Sequence, residues 1–230
     1  MNRHAQLPLW ADQSIDQKIE TLHHLIGDLY HFMLGKTRAS IMSLLVNHQP
    51  ADAKEADDLN TIRSMLATQP SILSPLCEPG HLTGSALVID ISSGRILLHH
   101  HKKLARWLQF GGHVEDETDL AAVALREAEE ESGLPDLAFF PATTAPAPLD
   151  IDVHQIPATG QQPAHLHLDL RYLLGTRRPD ALHPPATESN QFRWFEPSML
   201  DALGGEIDPA LKRLIHKAHT IYQANRTMAQ

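Results

Sequence analysis

Residues 111–134, GGHVEDETDLAAVALREAEEESGL, decide how the chain is read. The stretch opens with Gly111-Gly112 and crosses a short acidic loop. It then becomes an alanine-rich helix ending in Arg126-Glu127-Ala128-Glu129-Glu130-Glu131-Ser132-Gly133. On a helix Glu127, Glu130 and Glu131 stand three and four residues apart and share one face. Like charges at that spacing repel, so such a face is costly unless cations lie against it. Three carboxylates suit Mg²⁺ or Mn²⁺ better than zinc. Ala121, Leu125 and Ala128 centre roughly 130° away, a small apolar side that can approach a sheet closely. Gly133 is a fitting helix terminator. Taken alone, the glutamates would equally describe a solvated acidic helix.

The whole pattern resembles the signature box of the Nudix hydrolases, G-x5-E-x7-R-E-U-x-E-E-x-G-U, where U is aliphatic. Gly111 and Gly112 match the opening pair, and Arg126, Glu127, Glu130, Glu131, Gly133 and Leu134 match the end in order and spacing. Two positions depart. The isolated glutamate falls on Thr118, with Glu117 one residue early, and the aliphatic position is Ala128. The resemblance implies that Glu127, Glu130, Glu131 and the Gly111 carbonyl hold Mg²⁺ or Mn²⁺, with Arg126 bracing the acids. Glu115, in the loop, is placed to reach a second cation or orient a metal-bound water, and His113 beside it to hydrogen-bond a phosphate or acid.

Over roughly residues 80–220 the resemblance implies an α/β/α sandwich around a mixed β-sheet. The implied activity is metal-dependent hydrolysis of a diphosphate linkage in a nucleoside diphosphate joined to another moiety, such as a nucleotide sugar or a nucleoside triphosphate. Glu188 precedes the aromatic run Phe192-Arg193-Trp194-Phe195. That segment resembles the late Nudix loop from which some members draw a further ligand or base. Glu130 is the first candidate for general base and Glu188 the second. The alternative is a catalytically weak nucleotide-binding or regulatory module, favoured by the displaced glutamate and opposed by the three helix acids.

At 230 residues the chain has room for one core with an appendage, or for two small domains. A net charge of −9 argues against a stable nucleic-acid complex or an acidic membrane surface, but not against a small nucleotide bridged by metal. No stretch has the length and purity of a membrane span. The first residues lack an apolar signal core, which points to the cytoplasm. Cys77 is the single cysteine, which excludes an internal disulfide.

Apolar residues recur at helical spacing from Ser14, a candidate cap, through Ile15, Ile19, Leu22, Leu25, Ile26 and Leu29. Further helical runs cover residues 40–46 and 53–67. This predicts a small three-helix region over residues 1–78, which could shape the pocket or mediate homodimerisation, followed by the Nudix domain over residues 79–230. Strands are expected at residues 81–90, 95–100 and 104–110. Trp107 and Phe110 are candidates for stacking on a base as well as for the core.

After the box, Asp150, Asp152, His154 and Ile156 share one parity. His165, His167, Asp169 and Arg171 alternate with Leu166, Leu168, Leu170 and Tyr172, which predicts a strand with an ionisable face. His165, His167 and Arg171 are therefore candidate substrate contacts. His165, His167 and Asp169, with His154 or His113 added, also have zinc-ligand chemistry, and an ordinary polar sheet face is the third reading. A last helix, residues 208–225, packs through Leu211, Leu214, Ile215 and Ala218 and turns His216, Lys217 and His219 outward.

Overall fold

The helix that starts at Ser14 runs far past its expected end. In the computed structural model, which describes residues 14–102, 104–115, 117, 119–160, 162–185 and 191–228, α1 spans Ile15–Val46 without a break. Ser14 and Gln17 cap each other reciprocally, with Gln17 Oε1 accepting from Ser14 N at 2.9 Å and Ser14 Oγ accepting from Gln17 N at 3.3 Å. The segment expected as a second helix, residues 40–46, is the continuation of the first. Gly35 lies between them, and a single glycine weakens a helix by only about 1 kcal/mol, which does not end it. The chain divides into two compact units, Met1–Ile41 and Met42–Gln230. In the first unit Ile15, Ile19, Leu22, Leu25, Ile26, Leu29 and Met33 are all exposed.

The second unit begins with the end of α1 and continues into α2, Ala53–Thr68, capped by Asp52, whose carboxylate accepts from Glu55 N at 2.8 Å. An eight-stranded mixed sheet follows. Its axis is β1, Gly80–Asp90, paired in parallel with β7, His165–Thr176, from Gly80↔Leu166 to Asp90↔Thr176. The other edge of β1 is shared. β4, Phe110–His113, takes its first half and β2, Ile96–His101, its end, both antiparallel. β2 also carries β3, Arg106–Leu108, and β8, Phe192–Phe195. On the far side of β7 lie β5, Ala138–Phe139, and β6, Asp150–Ile156. The box glycines therefore sit inside a strand and not in a loop that follows one.

The two faces of the sheet are covered by different helices. Leu87 and Ile89 of β1 join Ile96, Leu98, Trp107 and Phe195 in a core closed by Leu211, Leu214, Ile215, Ala218 and Tyr222 of α4, Pro209–Met228. The opposite face receives α3, Leu120–Ser132. The apolar stripe expected for α4 is buried as read, but Lys217 turns inward. Its ammonium lies 2.9 Å from Asp150 and also pairs with buried Glu55 of α2.

That contact belongs to a charged layer beneath α2 and α4. Arg171, 3% exposed, hydrogen-bonds Asp152 at 2.9 Å and Asp169 at 3.1 Å and faces Asp150 at 3.6 Å. Arg213 chelates Asp150 at 2.8 and 3.0 Å, and Lys54 pairs with Asp152. Thr83, Ser85 and Gln109 donate to Asp169. The ionisable strand face is thus a buried lattice of ion pairs, in which Nη1 of Arg171 stands 3.6 Å from Asp150 without a hydrogen bond among the described residues, and Arg171 has no free approach for substrate. Among the described residues no helix is long and apolar enough to cross a membrane.

Breaking a buried pair strands its partner, so Arg171→Met is expected to cost about 3–5 kcal/mol in urea unfolding. Despite the upward pull of burial, hydrogen bonds from His48, Ala51 N and Lys217 hold Glu55 well below its ordinary 4.5. At Asp152 burial likewise pulls upward, but His154, Arg171 and Lys54 outweigh it and hold the carboxyl below its ordinary value. A depressed carboxylate contributes stability that is complete above its unfolded value and lost as pH falls through its folded one. The urea midpoint should therefore fall steadily below about pH 4. Glu55→Gln should lower stability at neutral pH and make that acid slope shallower.

Candidate active site

Helix α3 starts at Asp119, whose carboxylate accepts from Ala121 N at 3.0 Å, and stops at Gly133 with φ 66°. That left-handed turn admits glycine at little cost, and a Cβ there would stand 2.0 Å from the His183 carbonyl. Leu120, Ala121, Val123, Ala124 and Ala128 are buried against the sheet, whereas Leu125, expected among them, is only half-buried. Two strand glycines permit the approach. A Cβ on Gly84 would stand 2.5 Å from the Leu120 carbonyl, and one on Gly112 would stand 2.2 Å from Glu127 Oε1.

Arg126 gathers the acids. Its guanidinium lies 2.6 Å from Glu117, 3.0 Å from Glu127 and 3.1 Å from Glu130, and donates to the His113 carbonyl at 3.0 Å. Glu117, one residue early for the box, thus takes up Arg126 from the loop side. Burial raises the Glu127 carboxyl, the charge of Arg126 counters it, and Glu130 and Glu115 add to the rise. At Glu117 the Arg126 hydrogen bond outweighs burial and lowers the carboxyl. For Arg126 itself, burial is overcome by Glu117 and Glu127, which hold its pKa above the ordinary value. Several carboxylates thus share one guanidinium, and one of them resists ionisation. An all-oxygen donor set with surplus negative charge fits a hard divalent cation.

The other expected site residues separate into groups. Trp107 is 6% exposed, packs edge-on against Phe195 at 4.9 Å and donates its indole N–H to Glu206 at 3.1 Å. Phe110 is fully buried and stacks on His99 at 5.3 Å. Neither offers a free ring to a base, because in both cases the core claims the aromatic face. His113, His165 and His167 come together away from Glu127 and Glu130, whereas Glu115 in the loop acts on the charge of both His113 and Glu127. Register sets Gly112 opposite Gly84 on the α3 face and His113 opposite Thr83 on the other. Only the main chain of His113 reaches across, to Arg126. Glu188 and Thr118 lie outside the described residues.

His81 was not anticipated. It stands opposite His167 in the parallel register, 1% exposed, with its ring 4.9 Å from that of His167. Its parity with Thr83 and Ser85 was visible in the sequence, but its neighbour on β7 was not.

The NUDIX domain profile matches residues 81–217. Among solved structures, a NUDIX-family hydrolase from Clostridium perfringens is 24% identical, covering 63% of this chain and 97% of its own, with a TM-score of 0.46. An Ap4A hydrolase from C. elegans is 17% identical over 63% of this chain and 98% of its own, with a TM-score of 0.47. The E. coli dihydroneopterin triphosphate pyrophosphohydrolase is 13% identical over 59% and 92%, with a TM-score of 0.44. No curated protein matches the chain. With the profile spanning more than half of its length, the chain belongs to the Nudix family and is a pyrophosphohydrolase of the Nudix type.

Proposed function

We propose that the protein hydrolyses a diphosphate linkage in a nucleoside diphosphate-X substrate, a nucleotide sugar or a nucleoside triphosphate, with Mg²⁺ or Mn²⁺. The observation that carries this reading is the Arg126-braced set of glutamates laid over Gly112. Glu127, Glu130 and Glu131 of α3 and the carbonyl of Gly111 would hold the metal, with Glu115 available from the loop. When bound, the metal supplies charge neutralisation at the diphosphate and a more acidic water.

The chain's own groups have distinct tasks. The side chain of Glu130 is 60% exposed, so it can meet solvent and accept the proton of the attacking water, with Glu188 the second candidate. The water oxygen then bonds to phosphorus as the bridging P–O bond breaks, giving two phosphate-bearing fragments, or a monophosphate and pyrophosphate from a triphosphate. Arg126 holds Glu117, Glu127 and Glu130 at fixed spacing, so Arg126 and Glu117 are positioning residues.

A panel of nucleoside triphosphates, nucleotide sugars and dinucleotides, with products resolved by mass and either metal supplied, tests the reading. Glu130→Gln and Glu131→Gln should each lower kcat about 10²–10⁴-fold while the folded state survives. Tight nucleotide binding with no turnover across the panel would instead favour a binding module. Glu117→Gln should raise the Mg²⁺ concentration for half-maximal rate about 10–100-fold, the range for groups that orient metal ligands. A change in KM alone would remove Glu117 from that role.

A further inference from the structure

Five histidines crowd one end of the sheet on the face away from α3. Parallel register sets His81 of β1 beside His167 of β7, and antiparallel register sets His154 of β6 on the other side of His167. His165 lies two residues earlier on β7, and His113 of β4 stands opposite Thr83, two residues beyond His81. Strand alternation points all five to one side. The His81 ring lies 5.0 Å from that of His113, 5.1 Å from His165 and 4.9 Å from His167.

The nitrogens converge as well as the rings. One ligand nitrogen from each of His81, His165 and His167 lies within 4.8 Å of the other two. His113 Nε2 is 3.3 Å from His167 Nε2. Imidazoles bound about 2.0–2.1 Å from a tetrahedral ion have nitrogens roughly 3.3–3.4 Å apart. The His113–His167 pair therefore already has ligand spacing, whereas His113 stands outside the group formed by His81, His165 and His167, so holding an ion would draw these rings together.

Two further observations point to an ion. His81 is 1% exposed, and neither of its ring nitrogens has a hydrogen-bond partner among the described residues. A buried polar atom left unmatched costs about 1–3 kcal/mol, so a core histidine with both nitrogens open calls for something to fill one of them. The neighbouring rings are also held as metal-binding histidines are held. Hydrogen bonds at 2.9 Å join His165 Nδ1 to the Pro163 carbonyl and His154 Nδ1 to Asp152. With Nδ1–H donating, each ring presents the lone pair of Nε2.

We propose that His81, His165 and His167, with His113 as fourth ligand, form a site for a zinc-class divalent ion on the sheet face opposite α3. An all-imidazole set selects Zn²⁺, Co²⁺, Ni²⁺ or Cu²⁺ over Mg²⁺. The ion ties β4 to β1 and β7. It thereby fixes the strand whose His113 carbonyl accepts from Arg126. His154, anchored by Asp152, stands beside His167 with ring centroids 5.5 Å apart and supports it from the neighbouring strand.

The test uses the full chain stripped with a chelator and titrated with Co²⁺, followed by Zn²⁺ loading and X-ray absorption. One equivalent of Co²⁺ should give the intense visible bands of four-coordination, and Zn²⁺ should show at least three imidazole nitrogens at about 2.0–2.1 Å. His167→Ala and His113→Ala should each weaken Co²⁺ binding by at least 10–100-fold, since even groups that merely orient ligands are worth that much. Glu130→Gln should leave the bands unchanged. Should a buried variant fail to fold by circular dichroism, X-ray absorption on the unmodified chain decides. Oxygen-only coordination, no stoichiometric uptake, or binding that survives His113→Ala and disappears in Glu130→Gln would each overturn the site. The last result would assign the ion to the α3 acids and leave the hydrolase reading intact, whereas failed turnover with intact imidazole coordination would sink only the hydrolase.

Discussion

The close approach of α3 to β1 and β4 is the contact on which the candidate active site depends. Gly84 and Gly112 leave space where side chains would collide with the Leu120 carbonyl and the Glu127 carboxylate. Alanines on α3 meet that space with little bulk of their own. The helix can then lie low enough for Arg126 to span Glu117, Glu127, Glu130 and the main chain of β4 at once. The acids are brought together by backbone geometry, and their repulsion is contained by one guanidinium. A bulkier strand residue would raise the helix and separate Arg126 from the His113 carbonyl it binds.

The opposite face handles charge in another way. There Arg171, Arg213, Lys217 and Lys54 interleave with Asp150, Asp152, Asp169 and Glu55, nearly all of it under cover. Such a layer is a weak source of net stability, because desolvation offsets much of the attraction. It is a strong source of position. Each cation needs particular carboxylates from β6, β7 and α2, so neither helix can slide without leaving a buried charge unmatched. Nη1 of Arg171 makes no hydrogen bond within this layer, and at its end the ionic groups give way to imidazoles, where both ring nitrogens of His81 are unmatched among the described residues.

The box was legible because its spacing is local. Glu127, Glu130, Glu131 and Arg126 lie on one helix, and helical periodicity alone sets their common face. Glu117 was legible as an irregularity, but its use was not, since pairing with Arg126 depends on how the loop folds back. The alternation of residues 165–171 was also visible, and the strand formed. What covers that face was not visible. The partner of Arg171 on β6 lies 19 residues away, and that of Lys217 on α2 lies 162 residues away. Arg171 was read as a substrate contact and Lys217 as an outward residue for this reason. Trp107 and Phe110 show the same limit, because an aromatic residue reads alike whether it lines a pocket or fills a core.

The parallel pairing of β1 with β7 has a consequence for how the molecule comes into being. Thr83 and Asp169, neighbours in that pairing, are separated by 86 residues, whereas β1, β4 and α3 follow one another closely along the chain. Closing a long loop costs more chain entropy than closing a hairpin, and distant pairings slow folding. The hairpins and the acid-bearing helix therefore belong to the early, local part of assembly, while the seam that aligns His81 with His167 closes late. The acid-bearing half can take shape before the imidazole half exists, and the second completes the sheet on which the first rests.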